Sequence, residues 1–390
     1  MIGYDMGHES QHLIVGAGPV GLAAALFLSR QGLLPRIVEM RTEPSLYSKA
    51  LAVNPRTLEI LKPTGLTSKM LELGLPIRGV RFYRGSNNVA NLSLGGIHPD
   101  YPFMLALSQA TTEQLLAEAL AAGGVSVERG VKMVECRTLA DRVEVALEPS
   151  AGGLRETMTC SWLLSADGAH SIAREKQGIV FEGSTFSEEW YLADTPLKTE
   201  LAENYAHIFF LEGKAFFFML RVVDQAVKSP PGEAVWRVLG NHPEPLSYLT
   251  MSEQTGPPIW TSSFHVSHRI VRNMAVGGIY FAGDAAHIHS PMGARGMNLG
   301  LEDAWVFTEL ARMGRLAEYD RLRHQVDGKV VRQVELLSRV VSAQTSFYWF
   351  IRTVLFPMAI RVPFIHDRML QTVTGLDHQL PQVITEARTE

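Results

Sequence analysis

The sequence contains little cysteine and has no strong excess of charge of either sign. Only two of its 390 residues are cysteines, Cys136 and Cys160, and neither has the spacing of a metal-ligand motif. We therefore expect two reduced thiols and no metal site. A formal net charge of −4 offers no basic surface, so nucleic acid is not an expected partner.

The sequence also lacks an export signal and a convincing membrane span. Residues 1–11 are polar and acidic, without a basic region followed by a long apolar run. The most apolar stretch, 346–365, is interrupted by two arginines and two prolines, so it predicts a packed helix pair rather than a span. Contact of this stretch with a membrane or a second subunit is the alternative. We expect a cytoplasmic monomer or homodimer without membrane contact.

The composition that is present is that of a folded globular chain. Hydrophobic residues make up 46% and charged residues 19%, and the length predicts two or three packed units. Asn54-Pro55 predicts a helix start. Thr111 with Gln114 predicts a capping box ahead of a helix around 115–122.

A glycine-rich turn, Gly16-Ala17-Gly18-Pro19-Val20-Gly21, follows the first predicted strand and opens an apolar helix. Its first glycine permits the tight turn, the second lets backbone amides approach a pyrophosphate, and the third lets the helix pack on the sheet. Glu39 ends the next strand, at the place of an acid that accepts hydrogen bonds from a ribose. This order predicts a dinucleotide site, without separating FAD from NAD.

A second glycine-rich segment begins at Gly283-Asp284, directly after an apolar strand at 277–282. Asp284 would stand at the carboxyl end of that strand, where open α/β sheets bind ligands and a carboxylate can accept from a polyol chain. The glycines from Pro291 to Gly296 let backbone amides of the next helix face an anion or a flavin ring. A third motif, Asp167-Gly168 with Arg174, indicates by itself only a turn and a helix cap.

Aromatic strands replace helical periodicity between residues 179 and 275. Segments 207–211 and 215–220 flank a three-residue turn and predict a β-hairpin. With side chains on both faces, one face is expected to line an apolar substrate chamber. The phenylalanines of this hairpin are Phe209, Phe210, Phe216, Phe217 and Phe218.

Together the three motifs resemble the p-hydroxybenzoate hydroxylase family, the single-component flavoprotein aromatic monooxygenases. The resemblance runs from residue 12 to about 343, and YFAGDAAHIHSPMGARGMNLGLEDA, 280–304, is highly specific to it. Asp167-Gly168 with Arg174 resembles the family's motif for both FAD and NAD(P)H. Lys49 departs from it, because the family usually has arginine there, and lysine meets a phosphate only as a point charge.

The resemblance implies a set of cofactor contacts. Gln109 would lie near the flavin, Asp284 at the ribityl or pyrophosphate region, and Met297 and Asn298 would give backbone contacts to the isoalloxazine ring. The predicted FAD-binding residues are Gly16, Gly18, Pro19, Val20, Gly21, Glu39, Met40, Arg41, Lys49, Gln109, Asp167, Gly168, Arg174, Gly283, Asp284, Pro291, Gly293, Gly296, Met297 and Asn298.

The implied fold is α/β with an α+β insert. A Rossmann-like FAD-binding domain would take residues 1–178 with 276–345. A β-sheet substrate domain would take 179–275, joined by about 77–105, and C-terminal helices would take 346–390.

The implied activity is hydroxylation of a phenol-like or polycyclic aromatic substrate with O2 and NADH or NADPH, through a flavin C4a-hydroperoxide. Another flavin-dependent oxygenation, such as epoxidation or oxidative ring opening, and a non-catalytic flavin-binding homologue are the alternatives. No catalytic base is identified. The Pro291 loop is expected to position flavin and substrate, and His287 and His289 are expected to position that loop rather than to react.

Overall fold

The structure is a computed structural model that describes residues 12–45, 50–227, 233–248 and 252–381. Lys49, the predicted phosphate contact, lies outside the described residues, so that contact stays a prediction. The described residues form one six-stranded sheet, one nine-stranded sheet and two three-stranded sheets, with helices on their faces.

The first glycine turn belongs to the six-stranded sheet, called here the nucleotide-binding sheet. Helix Pro19–Arg30 links strand His12–Val15 to the parallel strand Arg36–Glu39, which confirms the predicted βαβ unit. The residues from Leu22 to Leu28 are buried on all sides because the sheet, helix Gly296–Arg312 and helix Gln109–Ala122 surround this helix. In spatial order the strands are Ala275–Val276, Ile279–Phe281, Trp162–Ser165, His12–Val15, Arg36–Glu39 and Val127–Arg129.

Capping residues set the starts of two helices beside this sheet. Asn54 accepts a hydrogen bond from the Thr57 amide at 2.8 Å and opens helix Pro55–Leu61, as predicted. The capping box at Thr111 and Gln114 is wrong. Helix Gln109–Ala122 starts earlier, because the Ser108 hydroxyl accepts from the Thr111 amide at 3.0 Å. The remaining helices of this half are Leu66–Leu73 and Ile172–Lys176.

Two small antiparallel sheets lie between the parts of the nucleotide-binding sheet in sequence. One consists of Val131–Thr138, Val143–Pro149 and Glu156–Cys160. The other consists of Ala52–Val53, Met104–Ala106 and Leu75–Ile77.

The aromatic region forms most of the nine-stranded sheet, called here the large sheet. The predicted hairpin is confirmed, since Ala206–Phe210 pairs antiparallel with Phe216–Arg221. Gly79–Arg84 joins it in parallel, so residues far earlier in the chain extend this sheet. The domain boundaries themselves stay a prediction. The strands, in spatial order, are His287–Ile288, Trp260–Val271, Phe181–Thr199, Ala234–Gly240, Phe216–Arg221, Ala206–Phe210, Gly79–Arg84 and Asn87–Ser93, with Ser252–Gln254 beside Phe181–Thr199.

Helices cover one face of the large sheet and form with it an apolar core, called here the sheet–helix core. Its members come from the sheet, as with Trp190 and Phe216, and from the C-terminal helices, as with Ile360 and Leu370. After the long helices Gly296–Arg312 and Tyr319–Val341, the chain continues as Ser346–Phe350, a π-helical turn Ile351–Leu355, Phe356–Ala359 and Pro363–Thr374.

The C-terminal helices bear on the question of a membrane span. Within the described part of the chain, no single helix is long and apolar enough to cross a membrane. Ser346–Ala359 and Pro363–Thr374 reach that length and composition only together, and they meet at a bend of 111°.

Candidate cofactor site

The first glycine turn has the shape that a diphosphate requires. Gly16 has a φ of 101°, and a Cβ there would lie 2.3 Å from the Ala166 carbonyl oxygen. A Cβ at Gly21 would lie 1.9 Å from the Gly16 carbonyl oxygen, so both positions require glycine to build the turn. A Cβ at Gly18 would meet no atom within 4 Å. The turn is therefore tightly packed at both ends and open in its middle.

The helix that follows presents an unsatisfied N-terminus at this opening. No side chain caps helix Pro19–Arg30, and Pro19 occupies its first turn, where a missing N–H costs nothing. An uncapped helix start carries free amides and the positive end of the helix dipole, which together bind phosphate groups. The turn therefore fits the pyrophosphate of a dinucleotide.

Glu39 lies at the end of the neighbouring strand and braces the same turn. Its carboxylate accepts hydrogen bonds from the Ala17 amide at 2.8 Å and the Arg41 amide at 3.0 Å. Each carboxylate oxygen retains a further acceptor position, so this bracing is compatible with the predicted ribose contact. Met40 is 56% exposed, and its carbonyl accepts from the Ser150 hydroxyl at 2.6 Å.

The Asp167-Gly168 motif is tied to the second glycine segment through Arg174. Asp167 accepts from the Ser165 hydroxyl and from the Ile172 amide, the latter at 2.8 Å. Arg174 donates to the carbonyls of Ala169 at 2.6 Å and Ala285 at 3.0 Å, and burial lowers its pKa. The motif thus holds two loops together, and a nicotinamide contact at Arg174 stays a prediction.

The second glycine segment packs directly against the first. A Cβ at Gly283 would lie 2.8 Å from Val20 Cγ2, and one at Gly300 would lie 2.6 Å from the same atom. Both glycines therefore allow helix Pro19–Arg30 to approach helix Gly296–Arg312. The starts of these two helices therefore meet at one edge of the nucleotide-binding sheet, at a place called here the junction. Asp284, in the turn after strand Ile279–Phe281, is exposed beside the junction.

The side chains of Asn298 and Gln109 bond to the backbone in and beside strand Ala52–Val53, which borders the junction. Asn298 donates to the Ala52 carbonyl at 2.9 Å and accepts from the Asn54 amide at 2.9 Å. Gln109 accepts from the Ala50 amide at 3.3 Å. Both side chains therefore orient backbone, and their predicted flavin contacts stay predictions. Helix Gly296–Arg312 has no side-chain cap, so the Gly296 and Met297 end of it resembles the first helix start.

The loop from Pro291 to Gly296 is anchored by a residue that the sequence did not single out. Arg295 is 2% exposed and donates to Asp377 Oδ1 at 2.9 Å and to the Thr372 carbonyl. Gly293 has a φ of 82° and Ala294 a φ of 52°, so the loop turns through the left-handed region twice. Residues near the C-terminus thus hold the loop from Pro291 to Gly296, called here the cofactor loop. A local sequence motif could not indicate these distant contacts.

A buried ionic cluster, called here the Arg323 cluster, lies beneath the second glycine turn. Arg323 is 0% exposed and donates to Asp303 at 2.7 Å, Asp327 at 2.6 Å and Glu302 at 2.5 Å. Asp303 accepts in turn from the Gly283 amide at 2.9 Å. Through these charged contacts, the cluster connects the turn at Gly283 to helix Tyr319–Val341.

His287 belongs to this cluster, as its Nε2 lies 2.8 Å from Asp303 Oδ2. Burial lowers its pKa, but the charges of Asp303 and Asp327 outweigh burial and raise it to about 9. Burial raises the pKa of Asp327 above its ordinary value, against the opposing charge of Arg323. His287, Asp303 and Asp327 are close enough to surround a metal ion, but Arg323 already supplies the cation to both carboxylates.

His289 and His268 differ from His287 because burial outweighs the charges around them. Burial lowers the pKa of His289 to about 3 and that of His268 to about 4, so both imidazoles are neutral. His289 Nδ1 lies 2.9 Å from the Ser290 carbonyl, while its Nε2 and both nitrogens of His268 are buried without a hydrogen-bond partner among the described residues. These nitrogens are polar atoms next to the cofactor loop.

Comparisons with known proteins agree with this geometry. The family model described as "FAD binding domain" matches residues 9–334. A 6-methylpretetramide 4-monooxygenase from Streptomyces rimosus is 32% identical over 86% of this chain, which spans 63% of that protein. A rifampicin monooxygenase from Rhodococcus hoagii is 30% identical over 86% of this chain and 73% of its own length.

Two solved structures have the same fold. The anhydrotetracycline hydroxylase OxyS from Streptomyces rimosus is 26% identical with a TM-score of 0.76, covering 95% of this chain and 77% of its own. The p-nitrophenol 4-monooxygenase PnpA from Pseudomonas putida DLL-E4 has a TM-score of 0.82 at 21% identity, covering 95% of this chain and 99% of its own. The resemblance in the sequence and the predicted fold class are confirmed, and the chain belongs to the FAD binding domain family.

Proposed function

We propose that the protein is an FAD-dependent monooxygenase that uses NADH or NADPH and O2 to hydroxylate a phenol-like or polycyclic aromatic compound. The observation that carries this proposal is the convergence of two uncapped helix starts, Pro19–Arg30 and Gly296–Arg312, on one junction beside Asp284. The names of the relatives support the reaction class, since they are monooxygenases of 6-methylpretetramide and rifampicin.

Different residues of the junction would bind different parts of FAD. The Gly16–Gly21 turn and its helix would hold the diphosphate, Glu39 the adenosine ribose and Asp284 the ribityl chain. The first turn of Gly296–Arg312 would face the flavin ring. Bound FAD would accept reducing equivalents from NAD(P)H and activate O2 for the transfer of one oxygen atom.

The substrate would bind between the cofactor loop and the large sheet. Alternate residues of a strand share one face, so Phe264, Val266 and His268 lie on one face of strand Trp260–Val271. Trp190, on the neighbouring strand, pairs with Phe264. Met292 of the cofactor loop is buried in the same sheet–helix core. An apolar wall next to the loop fits an aromatic compound, and it also excludes water.

A few polar atoms in that wall would orient the compound. Within the described part of the chain, the indole N–H of Trp190 and both ring nitrogens of His268 are buried without hydrogen-bond partners. A buried polar group without a partner is costly, and an oxygenated substrate would satisfy such groups. Neutral imidazoles at His268 and His289 are suited to accept a hydrogen bond from a phenolic hydroxyl.

The test begins with the cofactor. Cofactor released from the purified protein by heat should be FAD by chromatography, and a predominance of FMN or a failure to bind flavin would contradict the proposal. NADH and NADPH oxidation should then accelerate when the correct phenol or polycyclic aromatic compound is added. Product made under isotopically labelled O2 should contain one labelled oxygen atom. Oxidation of NAD(P)H that yields only peroxide with every aromatic compound tested would argue against a hydroxylase.

A further inference from the structure

The large sheet carries a short run of apolar side chains on the face that belongs to the sheet–helix core. This run, called here the apolar strip, consists of Phe186, Phe264 and Val266. Phe186 comes from strand Phe181–Thr199, and the other two come from the neighbouring strand Trp260–Val271. The strip therefore crosses two adjacent strands of the sheet.

The apolar strip lies beside the cofactor loop. Strand His287–Ile288, which leads into that loop, pairs antiparallel with the end of strand Trp260–Val271. The chain therefore enters the loop in the direction that leads back toward Val266. Met292 of the loop belongs to the same core as the strip. A compound held on the strip would consequently lie against the loop.

A polar side chain stands at each end of the apolar strip. His268 is 1% exposed, and its ring centroid lies 4.8 Å from that of Phe186. Trp190 is 0% exposed and pairs with Phe264. Among the described residues, neither the Trp190 indole N–H nor either ring nitrogen of His268 has a hydrogen-bond partner. Because buried polar groups are costly when unpaired, the two ends are suited to a ligand that pairs with both.

An irregularity in strand Phe181–Thr199 lies between the two ends. This strand pairs with its neighbour at Thr185 and next at Glu189, and over that interval it has two residues more than the neighbour. β-Bulges re-aim side chains and are common next to active sites. Here the extra residues let Phe186 and Trp190 both lie on the face of the apolar strip.

The spacing of the two ends sets the length of a ligand. Trp190 pairs with Phe264, four residues before His268, so the ends are about 13 Å apart along the strand. Side chains stand roughly perpendicular to a sheet, so their polar atoms keep about this spacing. Two hydrogen bonds of about 2.9 Å leave about 7 Å between the ligand's oxygens. The para oxygens of one ring are closer together than this, whereas oxygens at opposite ends of two fused rings match it.

The charged groups that flank the apolar strip are already paired. The Arg339 guanidinium lies 5.1 Å from the centroid of the Phe186 ring and donates to Glu335 at 2.6 Å. Arg237, farther along the same face of the sheet, donates to both carboxylate oxygens of Asp194 at 2.7 Å. Because each arginine already has its carboxylate, the strip favours an uncharged ligand over an anionic one.

We propose that Trp190 and His268 are specificity-determining residues, which select an uncharged fused-ring substrate with an oxygen substituent at each end. This inference rests on the proposed function, because it concerns the substrate of that site. The Trp190 indole can only donate, so it requires an acceptor oxygen. A neutral imidazole at His268 can donate or accept, so it pairs with a hydroxyl. The apolar strip between them packs against the rings.

Calorimetric titration of the FAD-loaded protein, without NAD(P)H, tests this selection by binding alone. The probe is naphthalene-2,6-diol, which has a hydroxyl at each end of two fused rings. Trp190→Phe and His268→Phe keep an aromatic ring at each position and should each weaken its binding about tenfold. 2-Naphthol has one hydroxyl and hydroquinone is too short, so each should be weakened by no more than one of the two variants. 6-Hydroxy-2-naphthoate, an anion of similar length, should bind the native protein at least about tenfold more weakly than the diol.

Trp236→Phe is the matched control. Trp236 is also buried with an indole N–H that lacks a partner within the described part of the chain. It lies on the opposite face of the large sheet, between Val235 and the next residue of its strand, so its loss should leave every titration unchanged. Retained FAD and unchanged circular dichroism would show that each variant is folded.

Several outcomes would overturn the inference. They are a native protein that does not bind the diol, diol binding that either Trp190→Phe or His268→Phe leaves unchanged, and hydroquinone binding that both variants weaken. An equal effect of Trp236→Phe, or equal affinity for the diol and the carboxylate, would also overturn it. Hydroxylation of a one-ring phenol by a protein with such results would leave the proposed function intact. A protein that binds no FAD would instead contradict the proposed function.

Discussion

The two glycine-rich segments reach the same junction by different physical means. The Gly16–Gly21 turn is shaped mainly by close backbone packing, since a Cβ at its first or last glycine would meet the carbonyl oxygen of Ala166 or Gly16, and the Glu39 carboxylate adds a hydrogen bond from the Ala17 amide. The Gly283–Gly296 segment rests on charge, because Asp303 binds the Gly283 amide and is held by Arg323. The first segment therefore depends on backbone fit within the nucleotide-binding sheet, whereas the second depends on charged residues in later helices.

Removing the cation of the Arg323 cluster should have the largest effect and should damage the second segment alone. In Arg323→Leu the carboxylates of Glu302, Asp303 and Asp327 lose their buried partner, and breaking a buried ion network costs about 3–5 kcal/mol. We expect that loss in the free energy of unfolding from denaturant titration. We also expect weaker FAD binding, because Asp303 would no longer be held against the Gly283 amide.

The control for this change is Arg321→Leu on the same helix. The Arg321 side chain is 68% exposed and pairs with Glu318 at 3.4 Å, so its loss should cost no more than about 1 kcal/mol. Equal costs for the two variants would mean that the Arg323 cluster does not support the second segment. A stable Arg323→Leu protein with normal FAD affinity would mean the same.

At the Gly16–Gly21 turn, stability should instead depend on added side-chain volume. In Gly21→Ala the new methyl would lie 1.9 Å from a backbone oxygen that cannot move freely, so overpacking should destabilise the apoprotein by about 1–3 kcal/mol or more. Gly18→Ala is the matched variant, because its methyl would meet no atom within 4 Å. It should leave thermal unfolding of the apoprotein unchanged and weaken only FAD binding. If Gly18→Ala binds FAD normally, the open middle of the turn does not face the pyrophosphate.

The contrast between the segments also explains what the sequence could predict. Glycine spacing, strand order and Glu39 are local features, so the first turn and the βαβ unit could be placed from sequence. Ser108 could not be told from Thr111 as a helix cap by pattern, because both can cap and only the backbone conformation decides. Arg323 lies in ordinary helical sequence, and Arg295 lies inside the stretch 280–304, which does not show what that arginine contacts. Apart from Asp327, their carboxylate partners are distant along the chain, and no short motif signals such a pairing.

Asp284→Ala should affect the cofactor more than the fold. The carboxylate is exposed beside the junction, so its loss removes little packing. Losing a charge-assisted hydrogen bond to the cofactor would cost about 1.5–3 kcal/mol, or roughly ten- to a hundredfold in affinity. Titration of the apoprotein with FAD measures this, with Asp141→Ala, at an exposed acid in another turn, as the control. An unchanged dissociation constant would show that Asp284 faces solvent in the bound protein.

The smallest expected effect, taken per pH unit, is a pH dependence that belongs to the second segment alone. The pKa of His287 rises from 6.5 to about 9 in the folded protein, so its contribution to stability is fully present below pH 6.5 and is lost as pH rises through about 9. Asp327 acts in the same direction but from a lower pH, because burial raises its pKa above the ordinary value of 3.8 and its contribution is lost as pH rises through the raised pKa. The His287 contribution to the free energy of unfolding should therefore fall between pH 6.5 and about 9, by at most about 1.4 kcal/mol per pH unit. His287→Asn should reduce this slope, whereas His366→Asn, at a more exposed histidine outside the cluster, should leave it unchanged. A slope that His287→Asn does not alter would place the titration elsewhere, and the Arg323 cluster would then have a fixed charge over this range.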